Sequence, residues 1–419
     1  MFCADKYLEK SNEPLIGISP EEFIDLVEPK LEYDLSLDHI KTRLDNNEKL
    51  NVKMGIDPTG PDVHIGHIVP IRVLDLFSRA GHKIDLIFGD FTAKIGDPSG
   101  RDGARKVLSD DEIVTNVTSY RGQVDNFFNT SGENVHIHRN STWLGQMALH
   151  ETFGYLQMVN LSEATQRKDF RERIQKGSAV TLAEAMYATL QGIDSVYLES
   201  DVEIGGIDQL LNVQQARNVQ RKRGQKPEDI LLTPIIEGTS GDGRKMSKSY
   251  NNYIPTTSGP DDIFGKIMSI PDTLIVPYAI AFAPVSKQEI KGLTTAAQCK
   301  PLETKKQLAT YLAATSAGSL EQGELAKENF ERRFSRKVLR GDDLTEITVS
   351  SEDTIFSALV SSGGFKSNSE IRRLASGGGI KLNGQKITED ELLLLVDNGH
   401  TILVGKRQGF RIRFSKDES

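Results

Sequence analysis

Two short motifs, far apart in the chain, contain residue types that could bind a phosphate chain. His64, Gly66 and His67 lie in PDVHIGHIVPIRVL, where an extended segment gives way to a helical pattern. A helix N-terminus offers free N–H groups and a partial positive charge, and histidines three apart face one side of its first turn. Gly66 would let a flat base or ribose approach the backbone. Solvated or capping histidines are nevertheless the commoner explanation for so short a motif.

The second motif is KMSKS, residues 245–249, in a loop rich in glycine and lysine. Lys245 and Lys248 stand three apart, with small hydroxyl residues between and after them, so this loop could close two cations over a triphosphate. Most loops with such a lysine spacing are ordinary surface loops. A match to this motif together with the first is much rarer by chance than either alone.

The elements around these motifs predict a parallel sheet. KLNVKMGI is typical of a strand, IVPIRVLDLFSRAGH of a helix that stops at Gly81, and KIDLIFGDF of a second, buried strand. A strand, a helix and a strand in this order predict a βαβ unit, and hence the α/β class with a doubly wound parallel sheet. DILLTPIIE, directly before the KMSKS loop, predicts a further strand.

The remaining segments predict additional domains. We expect a helix over residues 20–48, mostly helical structure over 108–200, and helices again from about 260 to 340. Near the C-terminus, SEIRRLASGGGIKLNGQKI predicts a helix, a glycine stop and a hairpin turning at Asn-Gly, and TILVGKRQGFRIRF predicts short strands. The domains expected from these shifts are 1–255, 256–345 and 350–419.

The composition excludes several functional classes. With 419 residues, 37% hydrophobic and 26% charged, the chain is typical of a globular protein with more than one domain. We see no membrane span and no signal or transit peptide. Two cysteines cannot form a disulfide framework or a zinc site, so a cytoplasmic location is expected. The formal charge of -8 argues against a whole-surface nucleic-acid binder; no DNA partner is expected, while local basic patches stay possible.

Together, HIGH and KMSKS resemble the signature pair of the class I aminoacyl-tRNA synthetases, in which they bracket an ATP site on a Rossmann-type sheet. GIDPTGPDVHIGH, GDFTAKIGDPSGR, YATLQGIDS and EIGGIDQ are similar to segments of the bacterial-type tyrosyl-tRNA synthetases. The C-terminal SEIRRLASGGGIKLNGQKI resembles a small α+β S4 RNA-binding domain, and the middle domain would then be the helical anticodon-binding domain. The resemblance implies activation of tyrosine with ATP to tyrosyl-adenylate and pyrophosphate, followed by transfer to tRNA(Tyr).

The first step needs positioning and charge stabilisation more than a base, because a carboxylate is already a nucleophile. The resemblance implies that Mg²⁺ accompanies the ATP through phosphate oxygens and water, with no metal held by the protein itself. The residues expected to handle the phosphates are His64, His67, Lys245, Lys248, Ser249, Arg101 and Arg105. The residues expected beside the nucleotide, the ribose or the adenylate are Asp57, Thr59, Gly66, Gly205, Asp208, Gln209 and Met246.

Tyrosine recognition is expected on one face of a helix. The resemblance assigns the ammonium group of tyrosine to Asp97, Tyr187 and Gln191, and its phenol to Asp194. Tyr187, Gln191 and Asp194 are spaced i, i+4 and i+7, so they share a helix face. Phenylalanine would leave a buried carboxylate unpaired, a form of discrimination for which tyrosyl-tRNA synthetases are themselves the standard example. The ordinary alternative for Asp194 is an exposed helix acid.

The resemblance also implies macromolecular partners. Family members are generally homodimers with one tRNA across both subunits, and we expect the interface between about residues 130 and 200. Basic side chains near the C-terminus could follow tRNA phosphates, although an ordinary solvated surface also explains any one of them. They are Lys366, Arg372, Arg373, Lys381, Lys406 and Arg407, with Arg411 and Arg413 close by.

Three positions depart from the family pattern. Some members place a tyrosine, as a second ligand for the phenol, where this chain has Lys53. Ile207 stands where a threonine is common, and Ile193 where an aromatic residue is frequent. These differences leave the fine structure of the pocket open, while the phosphate motifs are intact.

Two other functions stay open at this point. The sister tryptophanyl-tRNA synthetase uses the same motif pair but normally lacks an S4 tail. A paralogue that binds RNA without aminoacylation is the second, because a complete site can be redeployed. Pyrophosphate exchange with tyrosine and with tryptophan would separate the first alternative, and charging of tRNA the second.

Overall fold

The computed structural model describes residues 2–99, 108–160, 168–334, 344–365, 367–405 and 408–414. The chain divides into two compact units, Met1–Glu328 and Asn329–Ser419. The predicted boundaries near residues 255 and 345 are a finer division than these units and stay a prediction. Five residues named from the sequence lie outside the described ranges: Arg101, Arg105, Lys366, Lys406 and Arg407.

A six-stranded sheet forms the centre of the first unit. Its strands, in spatial order, are Tyr33–Asp34, Asp229–Thr233, Val202–Gly206, Asn51–Ile56, Lys83–Phe88 and Val135–Arg139. The last five are parallel, and the short Tyr33–Asp34 strand pairs antiparallel at the edge. From Asn51–Ile56 the chain first builds the sheet toward one edge and later toward the other. This reversal leaves a crevice at the carboxyl ends of the two central strands, the usual ligand site of such sheets.

The predicted βαβ unit is confirmed. Asn51–Ile56 and Lys83–Phe88 pair in parallel, with the helix Ile65–Arg79 between them in the chain. Most of this helix is buried, in keeping with apolar residues distributed around its whole circumference. Gly81 follows its end with a φ of +79°, the left-handed conformation typical of a helix stop.

The prediction of one helix over residues 20–48 is wrong. This stretch forms two helices, Pro20–Val27 and Leu37–Asp45, with the edge strand Tyr33–Asp34 between them. Pro29 has no N–H to continue the first helix, and the following residues pair with the sheet instead. Tertiary pairing therefore overrides the helical spacing of the apolar residues.

The helical prediction for residues 108–200 is confirmed except at one strand. Val135–Arg139 adds an edge strand of half-buried and exposed residues, a weaker signal than the continuous apolar runs of the central strands. The described helices in this region are Asp110–Asp125, Ser141–Leu144, Leu149–Leu156, Lys168–Gln175 and Leu182–Leu198.

Helices complete the first unit, as predicted from about residue 260 onward. Within the described ranges, no single helix is both long and apolar enough to cross a membrane; the bent pair Pro260–Ser269 and Asp272–Phe282 meets the length and composition criteria only jointly. The remaining helices of this unit are Ala4–Asn12, Leu210–Lys222, Pro260–Ser269, Ile275–Phe282, Ile290–Cys299 and Pro301–Ala317, and the helix Leu320–Phe334 crosses the boundary after Glu328.

The second unit is a small α+β structure. Its five-stranded sheet has the order Thr345–Val349, Gln408–Phe414, Thr401–Val404, Ile380–Leu382 and Gln385–Lys386. The helices Ile355–Ser361 and Asn368–Ser376 contribute to the same apolar core as this sheet. The predicted hairpin turn is confirmed, since Asn383 and Gly384 have φ values of +48° and +88°.

Candidate active site

The HIGH and KMSKS segments lie against each other. The chain that follows KMSKS returns to the start of the HIGH helix, where Ile65 N donates to Ile254 O at 2.9 Å. Thr256 N likewise donates to Val63 O at 3.0 Å. Main-chain hydrogen bonds therefore join the segment that follows KMSKS to the start of the HIGH helix. Residues of both motifs, which the sequence separates widely, line one crevice.

The two histidines of HIGH are packed together at the helix start. Their ring centroids are 3.8 Å apart, and His64 N donates to His67 Nδ1 at 3.3 Å. A Cβ at Gly66 would lie 2.9 Å from the His64 ring. Gly66 thus leaves room for the neighbouring imidazole, whereas the sequence analysis had considered only a bound nucleotide.

Both imidazoles are held neutral. Burial, together with the charges of His67, Lys248 and Lys245, lowers the pKa of His64 to about 2. Burial also lowers the pKa of His67 to about 4. At neutral pH these rings therefore offer N–H donors without a positive charge, and His64 Nδ1 has no hydrogen-bond partner within the described part of the chain.

The lysines of KMSKS extend from an exposed loop anchored by a buried residue. Met246 is buried and, with Lys245, lines the crevice beside the histidines. Lys248 Nζ lies 3.7 Å from Asp62 Oδ2 and its side chain is 38% exposed. Ser249 is exposed, and its N–H donates within the motif to the preceding serine hydroxyl. Lys248 and Ser249 are therefore near the crevice but are not among its lining residues.

The crevice is a cleft of about 350 Å³ at the point where the strand order reverses. Its walls come from the strand ends, the HIGH helix and the KMSKS loop. The sequence-predicted residues that line it are Asp57, Thr59, His64, Gly66, His67, Asp97, Tyr187, Gly205, Asp208, Gln209, Lys245 and Met246.

Hydrogen bonds fix two carboxylates in this cleft. Asp57 accepts from Tyr187 Oη at 2.8 Å and from Thr92 Oγ1 at 2.7 Å. Asp97 accepts from Gln209 Nε2 at 2.6 Å. The helix face predicted to read tyrosine thus reaches the cleft through Tyr187. Asp57, which was predicted to lie beside the nucleotide, is hydrogen-bonded to this face.

A glycine makes the Asp57 contact possible. A Cβ at Gly89 would lie 2.2 Å from Asp57 Oδ1 and 2.3 Å from Thr92 Oγ1, so only a hydrogen fits there. The sequence interpretation missed Gly89 and Thr92, although both stand in the quoted segment GDFTAKIGDPSGR. Their signal was the glycine directly after a buried strand, which marks a close approach.

Beside the cleft lies a smaller pocket of about 50 Å³ that contains Asp194. Asp194 is 6% exposed, so it is not a surface acid. It accepts from Trp143 Nε1 at 2.7 Å and from Asn140 Nδ2 at 3.3 Å. Burial raises its pKa to about 7, against the opposing effects of the Lys53 charge and of these two donors. Gln191 also lines this pocket, whereas Asn140 and Trp143 were not predicted.

The structure accounts for two of the three departures from the family pattern. Lys53 is 1% exposed and its Nζ lies 2.6 Å from Glu203 Oε1. Lys53 is not among the residues that line either part of the cleft. Ile207 packs against the apolar cluster around Val213 and Ile230, and thus turns away from the cleft.

The basic residues predicted for tRNA are exposed where they are described. Arg372 and Arg373 stand on the helix Asn368–Ser376, and Lys381 on the next strand. The Arg372 guanidinium lies over the ring of Phe356, 5.4 Å from its centroid. These residues belong to the second unit, away from the cleft in sequence.

Comparisons with known proteins agree with this arrangement. The family model for class I tRNA synthetases (W and Y) matches residues 45–335. The tyrosine–tRNA ligase of Thermotoga maritima is 35% identical over 94% of this chain and 98% of its own length. For the tyrosine–tRNA ligase of Desulfotalea psychrophila the identity is 37%, over 95% and 99%.

Solved structures share the fold. The tyrosyl-tRNA synthetase of Archaeoglobus fulgidus, complexed with L-tyrosine, is 21% identical and has a TM-score of 0.58, covering 74% of this chain and all of its own (100%). A C-terminally truncated mitochondrial tyrosyl-tRNA synthetase of Aspergillus nidulans has 18% identity and a TM-score of 0.61, covering 79% and 99%. Since the family model spans most of the chain and the relatives match nearly all of it, the chain belongs to the class I tRNA synthetases of the tryptophan and tyrosine family.

Proposed function

We propose that this chain is a tyrosine–tRNA ligase. It joins tyrosine to ATP as tyrosyl-adenylate, releases pyrophosphate, and transfers the tyrosyl group to a terminal hydroxyl of tRNA(Tyr). The observation that carries the proposal is a wall shared by the two cavities, formed by Asp57 and Tyr187. On one side of this wall is the cleft that contains His64 and Lys245, and on the other is the small pocket that contains Asp194. An amino acid whose phenol enters the small pocket has its carboxylate in the cleft, where the α-phosphate would lie.

The activation step uses neutral donors and mobile cations. The tyrosine carboxylate attacks the α-phosphorus, the bond to pyrophosphate breaks, and negative charge increases on the phosphate oxygens. His64 and His67 donate N–H groups to these oxygens in a partly desolvated site, where fixed donors are most effective. Lys245 and Lys248 add positive charge, and their exposed loop can close over the triphosphate and reopen to release pyrophosphate.

Several residues proposed to contact the phosphates are assigned from the sequence alone. Arg101 and Arg105 lie outside the described residues and stay predictions, as does a role for Ser249 in ordering the loop. In the described ranges, no group of three or more His, Cys, Asp or Glu side chains could hold a metal ion. In this proposal Mg²⁺ arrives with the nucleotide, bound mainly by phosphate oxygens and water.

Tyrosine is read at two places. Asp194 accepts the phenol hydrogen, and phenylalanine would leave this buried carboxylate without that partner. Tyr187 donates its hydroxyl hydrogen to Asp57, so the phenolic oxygen keeps its lone pairs for the substrate ammonium group. Asp97 and the carbonyl oxygen of Gln191 are the other proposed ammonium contacts.

We propose that the second unit is an S4 RNA-binding domain. Its helix, glycine stop and hairpin follow the pattern that suggested this domain, and Arg372, Arg373 and Lys381 are exposed on it. Such side chains can track the phosphates of tRNA without reading bases. Lys366, Lys406 and Arg407 stay predicted members of the same surface, and the proposed compartment is the cytoplasm, where tRNA is charged.

We also propose a homodimer, with its interface in the region predicted from the sequence. Three large apolar side chains on two contacting helices of this region are strongly exposed: Leu149 at 71%, Phe153 at 54% and Leu182 at 75%. Exposed apolar residues grouped on one region are typical of subunit contacts. Sedimentation should give a dimer at micromolar concentration and a monomer for Leu182→Asp; wild-type protein that sediments only as a monomer would contradict the proposal.

The proposed activity is tested by ATP–pyrophosphate exchange with tyrosine and, in parallel, with tryptophan. We expect exchange with tyrosine alone, and then tyrosine transfer to tRNA(Tyr). Exchange with tryptophan alone would make the chain a tryptophanyl enzyme. RNA binding without exchange or charging would support the non-catalytic paralogue instead.

A further inference from the structure

A buried ion pair lies behind the proposed tyrosine pocket. Lys53 on strand Asn51–Ile56 and Glu203 on the neighbouring strand are in direct register, with side chains 1% and 3% exposed and a separation of 2.6 Å between Nζ and Oε1. A second buried acid, Glu228, raises the pKa of Lys53 together with Glu203, so the ammonium form is retained despite burial. Burial of an ion pair seldom adds stability, so stability alone does not explain these two charges in the sheet core and we look for a functional role.

The pair touches the pocket through Glu203. The same Oε1 that binds Lys53 accepts a hydrogen bond from Gln191 Nε2 at 2.8 Å. An amide whose nitrogen is held in this way presents its carbonyl oxygen on the opposite branch. Gln191, Glu203 and Asp194 all line the small pocket, while Lys53 does not. Lys53, at the position where some family members place a tyrosine as a second phenol ligand, therefore reaches the pocket only through Glu203.

We propose that the Lys53–Glu203 ion pair is a specificity element of the tyrosine site, which orients the amide of Gln191 and sets the balance of charges around Asp194. Lys53 is then a positioning residue, since it acts through its neighbours and not on the substrate. This inference rests on the proposed function, because it assumes that Asp194 receives the phenol of tyrosine. Lys53 does not provide a second ligand for the phenol, but in this proposal it still contributes to the recognition of tyrosine.

The charges around Asp194 give the two residues opposite effects. Lys53 lowers the pKa of Asp194, and Glu203 raises it. The carboxylate form is the one that accepts from phenol without competing as a donor. Other titratable groups that face this cluster are Glu228, Tyr187 on the helix of Asp194, and the hydrogen-bonded pair His138 and Asp85, with His138 against Trp143.

The test measures KM for tyrosine in pyrophosphate exchange between about pH 6 and pH 9 with the full chain. In wild-type protein KM should fall as pH rises through the pKa of Asp194. Lys53→Met should move this transition to higher pH. A shift of about one pKa unit would raise KM near pH 7 about fivefold, because the charged fraction of Asp194 would fall from about one half to about one tenth. Glu203→Gln should move it to lower pH. The double variant should return it toward the wild-type position, because the two opposite contributions are removed together.

The opposite signs separate an electrostatic role from general damage. Lys53→Met leaves the buried Glu203 carboxylate without its positive partner and could fail to fold. In that case Glu203→Gln and the double variant, which removes both charges, still give the sign and the cancellation. Lys30→Met is the matched control, because Lys30 is as buried as Lys53 but donates to the main-chain carbonyl of Ala283 at 2.6 Å. It should leave the tyrosine transition unmoved, and the KM for ATP should be unchanged in every variant.

Two kinds of failure are distinguishable. Wild-type protein without tyrosine-dependent exchange, or an Asp194→Asn variant with the wild-type KM for tyrosine, would remove the proposed function or its site. If both behave as proposed, while Lys53→Met and Glu203→Gln leave the transition in place or move it in the same direction, only the role of the ion pair is overturned. A smaller preference for tyrosine over phenylalanine in Lys53→Met would support the pair as a specificity element.

Discussion

The two ends of the cleft are built in opposite ways. At the proposed phosphate end, Lys245 and Lys248 are exposed on a loop, and the pKa values of the two histidines beside them are lowered so far that both rings are neutral at pH 7. At the proposed tyrosine end, Lys53 and Asp194 are themselves buried, Lys53 as the ammonium ion and Asp194 with its pKa raised to about 7, and their partners are fixed in the sheet or on one helix. The phosphate end has to gather charge during the reaction and release pyrophosphate, which favours mobile cations. The tyrosine end has to reject close analogues, which favours polar groups that are costly to leave unpaired.

The largest effect that tests this contrast is expected from Asp194→Asn. We expect kcat/KM for tyrosine to fall on the order of 10²- to 10³-fold, because the phenol loses a charged acceptor in a buried pocket. Pyrophosphate exchange at varied tyrosine measures the loss, and the KM for ATP should stay within about twofold. Asp229→Asn is the control, as a buried aspartate that accepts from His39 at 2.8 Å. Equal losses in both variants would show that Asp194 matters for stability and not for recognition.

A smaller effect of a different kind is expected at the phosphate end. Lys248→Ala should lower kcat for tyrosine activation about ten- to a hundredfold, because one charge that stabilises the transition state is removed. The KM for tyrosine should hardly change, since this lysine does not line the small pocket. Lys266→Ala is matched to it, with a side chain 35% exposed against 38% and an aspartate nearby in each case. An increase in the KM for tyrosine with unchanged kcat would remove the functional difference between the two ends.

The wall shared by both ends should respond to a single methyl group. Gly89→Ala would press Cβ onto Asp57 and Thr92, so we expect the KM for tyrosine to rise about tenfold and the free energy of unfolding to fall by about 1–3 kcal/mol. Urea unfolding can be followed by the fluorescence of Trp143, the chain's single tryptophan. The control is Gly122→Ala, at a helical glycine with nothing within 4 Å of a new Cβ. If Gly89→Ala were as harmless as this control, the hydrogen bonds of Asp57 would not matter for either end.

The sequence located the HIGH and KMSKS end of the cleft more completely than the Asp194 end. HIGH and KMSKS are contiguous strings, so their residues could be recognised before any fold was known, and the adjacent strands and helix placed them correctly. The hydrogen-bond donors to Asp194 are Asn140 and Trp143, which lie just after the edge strand that the sequence analysis missed. Only the order of strands in the sheet shows that this segment reaches the helix carrying Asp194.

Lys53 illustrates a second limit. The sequence shows that position 53 departs from the family pattern. It does not show where the Lys53 side chain points, because strand alternation does not tell which neighbour a buried lysine will pair with. The partner, Glu203, lies on a strand that is distant in the chain and adjacent in the sheet. Gly89 was limited in the same way, since a close approach is visible only when both approaching groups are placed.

The smallest expected effect is on stability, and it tests whether the tyrosine end carries a cost. The folded protein keeps the proton of Asp194 up to about pH 7, whereas an unfolded aspartate loses it near pH 4. Between these values the folded state binds more protons, so the contribution of Asp194 to stability declines as pH rises and is lost above about pH 7. Asp194→Asn has no such proton to lose.

Thermal unfolding of both proteins should therefore diverge with pH. The Tm of Asp194→Asn relative to wild type should become more positive by a few degrees between about pH 5 and pH 8, equivalent to about 1–3 kcal/mol. The comparison cancels all other titrating groups, which are common to both proteins. A constant difference would mean that Asp194 titrates like an exposed acid and that the two ends of the cleft do not differ as described. A divergence in the expected direction would show that Asp194, the acid that makes the pocket selective, lowers the stability of the folded protein when it is ionised.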